Sequence, residues 1–267
     1  GAGKTALLSQ LAYQVPRSWH PDGAIYLRAR YAGLSDLLQA LYDLFHEASP
    51  SYKPLPDEVI AALQARQVLL LLDDVALPPE ACQRLIQSLP RWRCVLACKQ
   101  RLWLDDVYVH SLDGLSPDDA LTLVERKLGY WVSSAEKPVV QRACASLLGN
   151  PLSLLQLVAL AARRQRPLTE VIADLDMERA SETLQEQILL SLSEPERRVL
   201  SALAAAEGIP LSAAALTAVT DLPQVGPVLE DLEHDYLVEK QGPYYLARSP
   251  LATALRQASD VTPWLWR

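Results

Sequence analysis

Apolar side chains in the first 110 residues of this chain follow two alternating patterns. Short continuous apolar runs occupy residues 23–27, 68–72, 94–98 and 107–110, as expected for strands buried in a parallel sheet. Between the first two runs, residues 34–47 are predicted to form a helix, with apolar side chains at helical spacing at Leu34, Leu37, Leu38, Leu41 and Leu44 or Phe45. Strands that alternate with helices in this way predict an α/β fold with a doubly wound parallel sheet.

After His110 the strand pattern gives way to helix signals. Ser116 and Pro117, followed by two acids, predict a helix start, and apolar positions at helical spacing continue to Gly129, a typical helix end. A second helix is predicted near residues 139–148. It ends at a Gly-Asn-Pro turn, residues 149–151, from which a third helix starts at once. Residues 113–184 are therefore predicted to form a small helical domain.

The last part of the chain, residues 185–267, combines helix and strand signals. A capping-box sequence at residues 193–196 predicts a helix through Ala206, and two more helices are predicted at residues 211–219 and 225–236. Two short strand-like segments, residues 236–238 and 244–246, flank a Gln-Gly-Pro turn and predict a hairpin. Three helices followed by a hairpin indicate a winged-helix domain.

Composition excludes several classes of protein. With 267 residues the chain is too long for one ordinary core, so two or three packed units are expected. The longest apolar run, residues 152–162, is interrupted by Ser153 and Gln156 and is too short to span a bilayer, so no membrane segment is predicted. The four cysteines form no CxxC pair, which argues against a zinc site or a disulfide framework and favours a cytoplasmic protein.

The chain begins with Gly-Ala-Gly-Lys-Thr, which matches the end of the phosphate-loop pattern G-x-x-x-x-G-K-[ST]. Because no initiator methionine is present, we expect a fragment whose first strand and first loop glycine lie upstream. The loop and the helix after it would offer backbone N–H groups to phosphate, Lys4 would reach the β- and γ-phosphates, and Thr5 would bind Mg²⁺. The predicted nucleotide-binding residues are Gly1, Ala2, Gly3, Lys4, Thr5 and Ala6. The alternative is a chance turn before a helix.

Two carboxylates, Asp73 and Asp74, end the apolar run of residues 68–72. Ligands bind at the carboxyl edge of open α/β sheets, so this position favours a catalytic site. Asp73 is predicted to hold Mg²⁺ through water, as a Walker B acid does, and Asp74 to orient or deprotonate the attacking water. The alternative is that both acids only begin an exposed loop, and the phosphate loop upstream argues against it.

The order of these motifs resembles the NB-ARC family of STAND ATPases, and the resemblance covers nearly the whole chain. Its elements are the phosphate loop, the leucine-rich strand ending in Asp-Asp, the Leu-Ser-Pro-Asp-Asp-Ala helix start and the Gly-Asn-Pro-Leu-Ser-Leu turn. The resemblance implies a P-loop NTPase domain over residues 1–112, ahead of the helical and winged-helix domains. In that family the proline of the turn contacts the adenine ring, which assigns Pro151 to the base. A plain helix start is the alternative for Pro151.

The resemblance also implies a function, a signalling switch that binds ATP or ADP with Mg²⁺. ADP would hold the closed state, ATP would promote self-association, and slow hydrolysis would reset the switch. Fused effector and sensor domains are expected outside this fragment.

Two segments depart from the family pattern. Where the family has a Thr-Thr-Arg or Thr-Ser-Arg phosphate sensor, residues 97–101 are Ala-Cys-Lys-Gln-Arg. Lys99 or Arg101 is expected to substitute, and Arg101 is included among the predicted nucleotide-binding residues. Where plant members have a His-Asp pair that reads ADP, this chain has Arg248 followed by Ser-Pro. Arg248 on a phosphate is one way to hold the ADP state.

Two other functions stay open at this point, a DNA-binding transcriptional regulator with an NTPase switch and a nucleotide-driven motor. The whole chain has a net charge of −7, and residues 181–260 contain five basic side chains against twelve acidic ones. The helix predicted over residues 225–236 carries the acids Glu230, Asp231, Glu233 and Asp235. Groove binding needs lysine or arginine instead. DNA binding is therefore not expected, and this domain is predicted to contact protein.

Overall fold

The computed structural model describes residues 2–30, 32–46 and 54–257, without the side chains of residues 256 and 257. The chain forms two compact units, one from Gly3 to Leu112 and one from Asp113 onward. The described helices of the first unit are α1 (Lys4–Gln14), α2 (Leu34–Asp43), α3 (Pro56–Gln64) and α4 (Pro79–Ser88), with a 3₁₀ turn at Arg17–Trp19. Its described strands are β1 (Ala24–Arg28), β2 (Leu69–Val75) and β3 (Arg93–Cys98).

Strand β2 lies between β1 and β3 in a parallel sheet, as the apolar runs predict. Successive side chains of a strand point to opposite faces. Leu69 and Leu71 therefore pack with Leu8 of α1, whereas Leu70 and Leu72 join a second core that includes side chains of α2, α3 and α4. Because both faces are covered, every position of the leucine run is removed from water, which accounts for its unbroken apolar character.

Two predictions for this unit are corrected by the structure. Residues 107–110 form no strand, and Tyr108 is 89% exposed. A run rich in valine and tyrosine favours a strand only where a neighbouring strand and a core are present to pack against it. The helix predicted over residues 34–47 is also shorter, because α2 ends at Asp43; residue 47 lies outside the described residues.

The second unit is mainly helical. Its described helices are α5 (Pro117–Leu128), α6 (Lys137–Ser146), α7 (Pro151–Arg164), α8 (Leu168–Ala173), α9 (Ala180–Ser191), α10 (Glu194–Ala205), α11 (Ala213–Thr220), α12 (Gly226–His234) and α13 (Leu251–Gln257), with a 3₁₀ turn at Met177–Arg179. Its described strands are β4 (Leu211–Ser212), β5 (Val238–Gln241) and β6 (Tyr244–Ala247). The predicted start of α5 is confirmed, because Ser116 Oγ accepts a hydrogen bond from the Asp119 backbone N–H at 3.2 Å.

The end of this unit follows the predicted element order, with one strand added. Helices α10, α11 and α12 precede the β5–β6 hairpin, and β4 joins it in an antiparallel sheet of order β4-β6-β5. A single apolar core runs from Ala120 in α5 to Leu255 in α13. The predicted boundary between residues 184 and 185 lies inside this unit and stays a prediction. None of the described helices is both long and apolar enough to cross a membrane.

Candidate functional site

Gly3 forms the turn that leads into α1. Its backbone is left-handed, with φ 90° and ψ 10°, a conformation that glycine adopts without steric cost. The first intrahelical hydrogen bond runs from the Leu7 N–H to the Gly3 carbonyl at 2.9 Å. The N–H groups of residues 4–6 therefore have no carbonyl partner within the helix, which leaves them suited to an anion. Gly1 lies outside the described residues, and its role and that of Ala2 stay predictions.

Asp73 collects three hydrogen bonds at the carboxyl end of β2. Its Oδ2 accepts from the Thr5 hydroxyl at 2.7 Å and from the Tyr26 hydroxyl at 2.8 Å, and its Oδ1 accepts from the Asp74 backbone N–H at 2.9 Å. The Asp73 residue is only 4% exposed. The structure thus brings together Thr5 and Asp73, two predicted site residues that are 68 positions apart in the chain.

The oxygen atoms at this point fit a magnesium ion. A hydroxyl has one donor and two lone pairs, so Thr5 can donate to Asp73 and still offer a lone pair to a cation. Magnesium is a hard cation that binds oxygen ligands, keeps several waters and uses one or two protein carboxylates. Thr5 and Asp73 are the residues that would hold it, Thr5 directly and Asp73 through water.

Asp74, the predicted catalytic acid, lies between two cations. Arg30 Nε is 3.4 Å from Asp74 Oδ2, and Lys99 Nζ is 3.8 Å from Asp74 Oδ1. Asp74 also has a positive φ of 52°, at an irregularity of the β2–β3 register between Leu72 and Val75. Non-glycine residues with this backbone are uncommon and cluster at functional sites.

Sequence reasoning missed Arg30 and Tyr26. Tyr26 lies in β1, and Arg30 lies two residues after the strand ends. Arg28, the last residue of β1, pairs in register with Asp73. A basic residue three positions after the strand predicted at residues 23–27 was the available signal for Arg30, because parallel strands end at a common edge.

The four basic residues predicted to contact phosphate lie in different places. Lys4 lies close enough to Cys98 at the end of β3 to lower the pKa of that thiol, although burial has the larger effect and raises this pKa to about 11. The Arg101 guanidinium lies 4.4 Å from the centre of the Trp103 ring, whereas Lys99 is beside Asp74. Arg248 belongs to the second unit, where its Nη2 is 3.9 Å from Glu239 Oε2. The phosphate-sensing roles of Arg101 and Arg248 stay predictions.

The Gly-Asn-Pro turn before α7 is fixed to the segment that precedes α5. The Leu115 N–H donates to the Gly149 carbonyl at 2.8 Å, and a Cβ atom added to Gly114 would overlap the Leu148 carbonyl. Asn150 Oδ1 caps α7 by accepting from the backbone N–H groups of residues 152 and 153 at 3.1 and 3.3 Å. Pro151 is therefore the first residue of a capped helix in the second unit, and its contact with adenine stays a prediction.

An ion cluster that the sequence analysis missed connects three parts of the second unit. Arg163 in α7 makes two hydrogen bonds to Glu196 in α10, from Nη1 at 2.8 Å and from Nη2 at 2.6 Å. Arg163 Nε also donates to Asp235, after the end of α12, at 2.8 Å. Asp235 was predicted to lie on the helix of residues 225–236, but α12 ends at His234, and the Asp235 side chain is only 15% exposed and paired with Arg163.

Comparison with known proteins supports the fold and leaves the family open. No protein-family model matches the chain. The regulatory protein AfsR of Streptomyces coelicolor is 27% identical over 270 residues, which cover 91% of this chain and 27% of AfsR. The chain thus spans about a quarter of the length of this curated relative.

Among solved structures, a Signal Transduction ATPase with Numerous Domains (STAND) protein with a tetratricopeptide repeat sensor, from Pyrococcus horikoshii, superposes with a TM-score of 0.69. It is 16% identical, and the match covers 97% of this chain and 39% of the other. Because this match extends over both units, the chain has a P-loop NTPase fold with a parallel sheet followed by a mainly helical part.

Proposed function

We propose that this chain is the nucleotide-binding switch module of a STAND ATPase, holding ATP or ADP with Mg²⁺. One observation carries the proposal: the Thr5 hydroxyl at the start of α1 donates to Asp73 at the end of β2, at 2.7 Å. A phosphate-loop threonine and a strand-end carboxylate in contact are what a magnesium nucleotide requires. The similarity to AfsR over 91% of the chain supports a regulatory role.

The site residues of the first unit have separate proposed roles. The N–H groups after Gly3, including that of Ala6, bind phosphate oxygens, and Lys4 neutralises the β- and γ-phosphates. Thr5 and Asp73 hold the magnesium ion, which when bound neutralises charge on the phosphates. Asp74 orients the attacking water or accepts its proton. Lys99 is the proposed phosphate sensor in preference to Arg101, because Lys99 Nζ lies 3.8 Å from Asp74 Oδ1.

The finer part of the proposal concerns the NB-ARC type of switch. In this scheme Pro151 contacts adenine, ADP holds the closed state, and ATP favours an open form that self-associates before slow hydrolysis resets it. The end of the second unit acts as a winged helix that contacts protein. Sensor and effector domains would belong to the rest of the longer protein, in a cytoplasmic signalling pathway.

The test of this function is the nucleotide content of the protein. Mass spectrometry of the small molecules released from the purified full-length protein should find ADP or ATP, and calorimetry on nucleotide-free protein should show binding that magnesium strengthens. Protein that carries no nucleotide and binds none with magnesium present would refute the switch.

The two acids at the end of β2 should have separable effects. Asp73→Ala removes the carboxylate that would hold the ion, so we expect weaker magnesium-dependent ADP binding. Asp74→Ala removes a group that acts on water, so we expect binding close to that of the unchanged protein and hydrolysis slowed by about 10²- to 10⁴-fold. Calorimetry measures the first effect and single-turnover hydrolysis the second.

A matched control for these two variants is Asp105→Ala, which removes an exposed carboxylate of the same unit. It should change neither binding nor hydrolysis. If Asp73→Ala and Asp74→Ala alter both steps equally, the assignment of separate roles is wrong.

The second candidate function is a DNA-binding regulator, which the similarity to a regulatory protein favours. The charges on α12 argue against it. Glu230, Asp231 and Glu233 are exposed, so duplex DNA on this helix would bring carboxylates near phosphates. Each such pair 4 Å apart costs about 1 kcal/mol in water, and several of them outweigh one or two hydrogen bonds.

We therefore expect no detectable binding of mixed-sequence duplexes in fluorescence anisotropy, with or without nucleotide, even at about 50 mM salt, where phosphate-driven binding is strong. A submicromolar affinity that disappears in Lys240→Ala or Arg248→Ala would reverse this conclusion and make the regulator the better proposal.

A further inference from the structure

The Tyr26 hydroxyl is aimed at the same oxygen of Asp73 that Thr5 contacts. Tyr26 lies on β1, two residues before Arg28, the register partner of Asp73, and the side chains of Tyr26, Arg28 and Asp73 share the face of the sheet that α1 covers. The Tyr26 oxygen is 2.8 Å from Asp73 Oδ2. The Tyr26 residue is 39% exposed, yet its hydroxyl donates to a buried carboxylate.

A carboxylate as buried as Asp73 needs donors to stay ionised and in one orientation. Of the donors given by the described residues, the Asp74 N–H is part of the same peptide and the Thr5 hydroxyl belongs to α1. Tyr26 is a donor from the neighbouring strand β1, so its position does not depend on the phosphate loop.

We infer that Tyr26 is a positioning residue that holds the Asp73 carboxylate in the orientation required for magnesium at the nucleotide site. This inference rests on the proposed function. Tyr26 acts through Asp73. The loss of a hydrogen-bonded partner of a direct metal ligand typically costs 10- to 100-fold in metal affinity, and because Asp73 would hold the ion through water, we expect the lower end of that range.

The test is Tyr26→Phe in the full-length protein, which removes the hydroxyl and keeps the ring. ADP affinity is measured by calorimetry with excess magnesium and with excess EDTA, and the ratio of the two affinities reports the contribution of the ion. We expect this ratio to fall about tenfold in Tyr26→Phe, with the EDTA affinity and the melting temperature little changed. Tyr108→Phe, which alters an 89%-exposed tyrosine of the same unit, should leave the ratio unchanged.

Three results would overturn the inference. An unchanged ratio in Tyr26→Phe, with normal magnesium-dependent binding by the unaltered protein, removes the role of Tyr26 and leaves the proposed function intact. An equal loss of affinity in magnesium and in EDTA, with a lower melting temperature, means that the hydroxyl is only structural. If the unaltered protein binds no nucleotide, the proposed function fails, and this inference fails with it.

Discussion

Lys4→Ala is expected to lose nearly all tight binding of ADP and ATP. The Lys4 ammonium group would meet the β- and γ-phosphates, and each charge-assisted hydrogen bond of this kind contributes about 1.5–3 kcal/mol. Loss of two such contacts amounts to about 3–6 kcal/mol, a decrease in affinity of roughly 10²- to 10⁴-fold. Calorimetry with nucleotide-free protein measures the affinity for ADP and ATP. In Lys4→Ala the heat of binding should fall below detection at ordinary protein concentrations.

The stability of this variant should be unaffected, since alanine is the best helix former and Lys4 is the first residue of α1. An equal melting temperature without nucleotide separates lost binding from lost folding. Lys137→Ala, which removes an exposed lysine at the start of α6, is the control for a general change of charge. ADP affinity in Lys4→Ala within a factor of two or three of the original would contradict the phosphate-loop assignment.

Arg163→Ala is expected to destabilise the second unit strongly. It leaves Glu196, which is 8% exposed, and Asp235, which is 15% exposed, without their cation. Removal of one partner from a buried ion pair costs about 3–5 kcal/mol, because the remaining charge stays out of water. Urea unfolding, followed by a signal from the second unit, should show this decrease in the free energy of unfolding.

The matched control is Arg166→Ala. Arg166 contacts two carboxylates, Glu170 at 3.2 Å and Asp174 at 2.6 Å, but its side chain is 39% exposed. An exposed pair is screened by water and holds two flexible side chains in place, so this arginine should contribute little to stability. Equal destabilisation by the two variants would show that burial of the Arg163 cluster is not what stabilises the unit.

The effect of Arg163→Ala should also depend on pH. Burial by itself raises the pKa of Glu196, but hydrogen bonds from Arg163 and Ser193 outweigh it, and the pKa is lowered in the folded protein. The contribution of Glu196 is therefore present above its pKa in the unfolded chain and is lost as the pH falls through the lowered folded value. Without Arg163, burial raises this pKa, so the difference in stability between the two proteins should shrink in acid.

Several parts of the site could be predicted from local sequence. The leucine run of residues 68–72 has no polar interruption, which only a strand covered on both faces explains, and the acids after it then belong at the carboxyl edge of the sheet. Gly3, predicted as the last glycine of a phosphate loop, forms the turn that leads into α1. The start of α5 at Ser116 and its end at Gly129 follow in the same way from side chains within one helical turn.

Predictions from local patterns were wrong or incomplete where the structure depends on a contact with a distant part of the chain. Residues 107–110 have the side chains of a strand, but strand formation depends on hydrogen bonds to a neighbour that the same few residues do not specify. They are without regular structure and largely exposed. Asp235 was predicted as one of four acids on the helix of residues 225–236, and helical spacing alone does not show which of them meets a cation from another helix.

The sequence by itself determined the elements that depend on neighbours along the chain: strand β2 with its two terminal acids, the turn into α1, and the capped helices of the second unit. Only the tertiary structure decided which side chains meet across long separations. The register of β1 on β2 brings Tyr26 to Asp73, 47 residues apart, and the packing of α7 brings Arg163 to Asp235, 72 residues apart. Helix and turn signals arise from contacts within a few residues, whereas register and helix packing depend on the whole core.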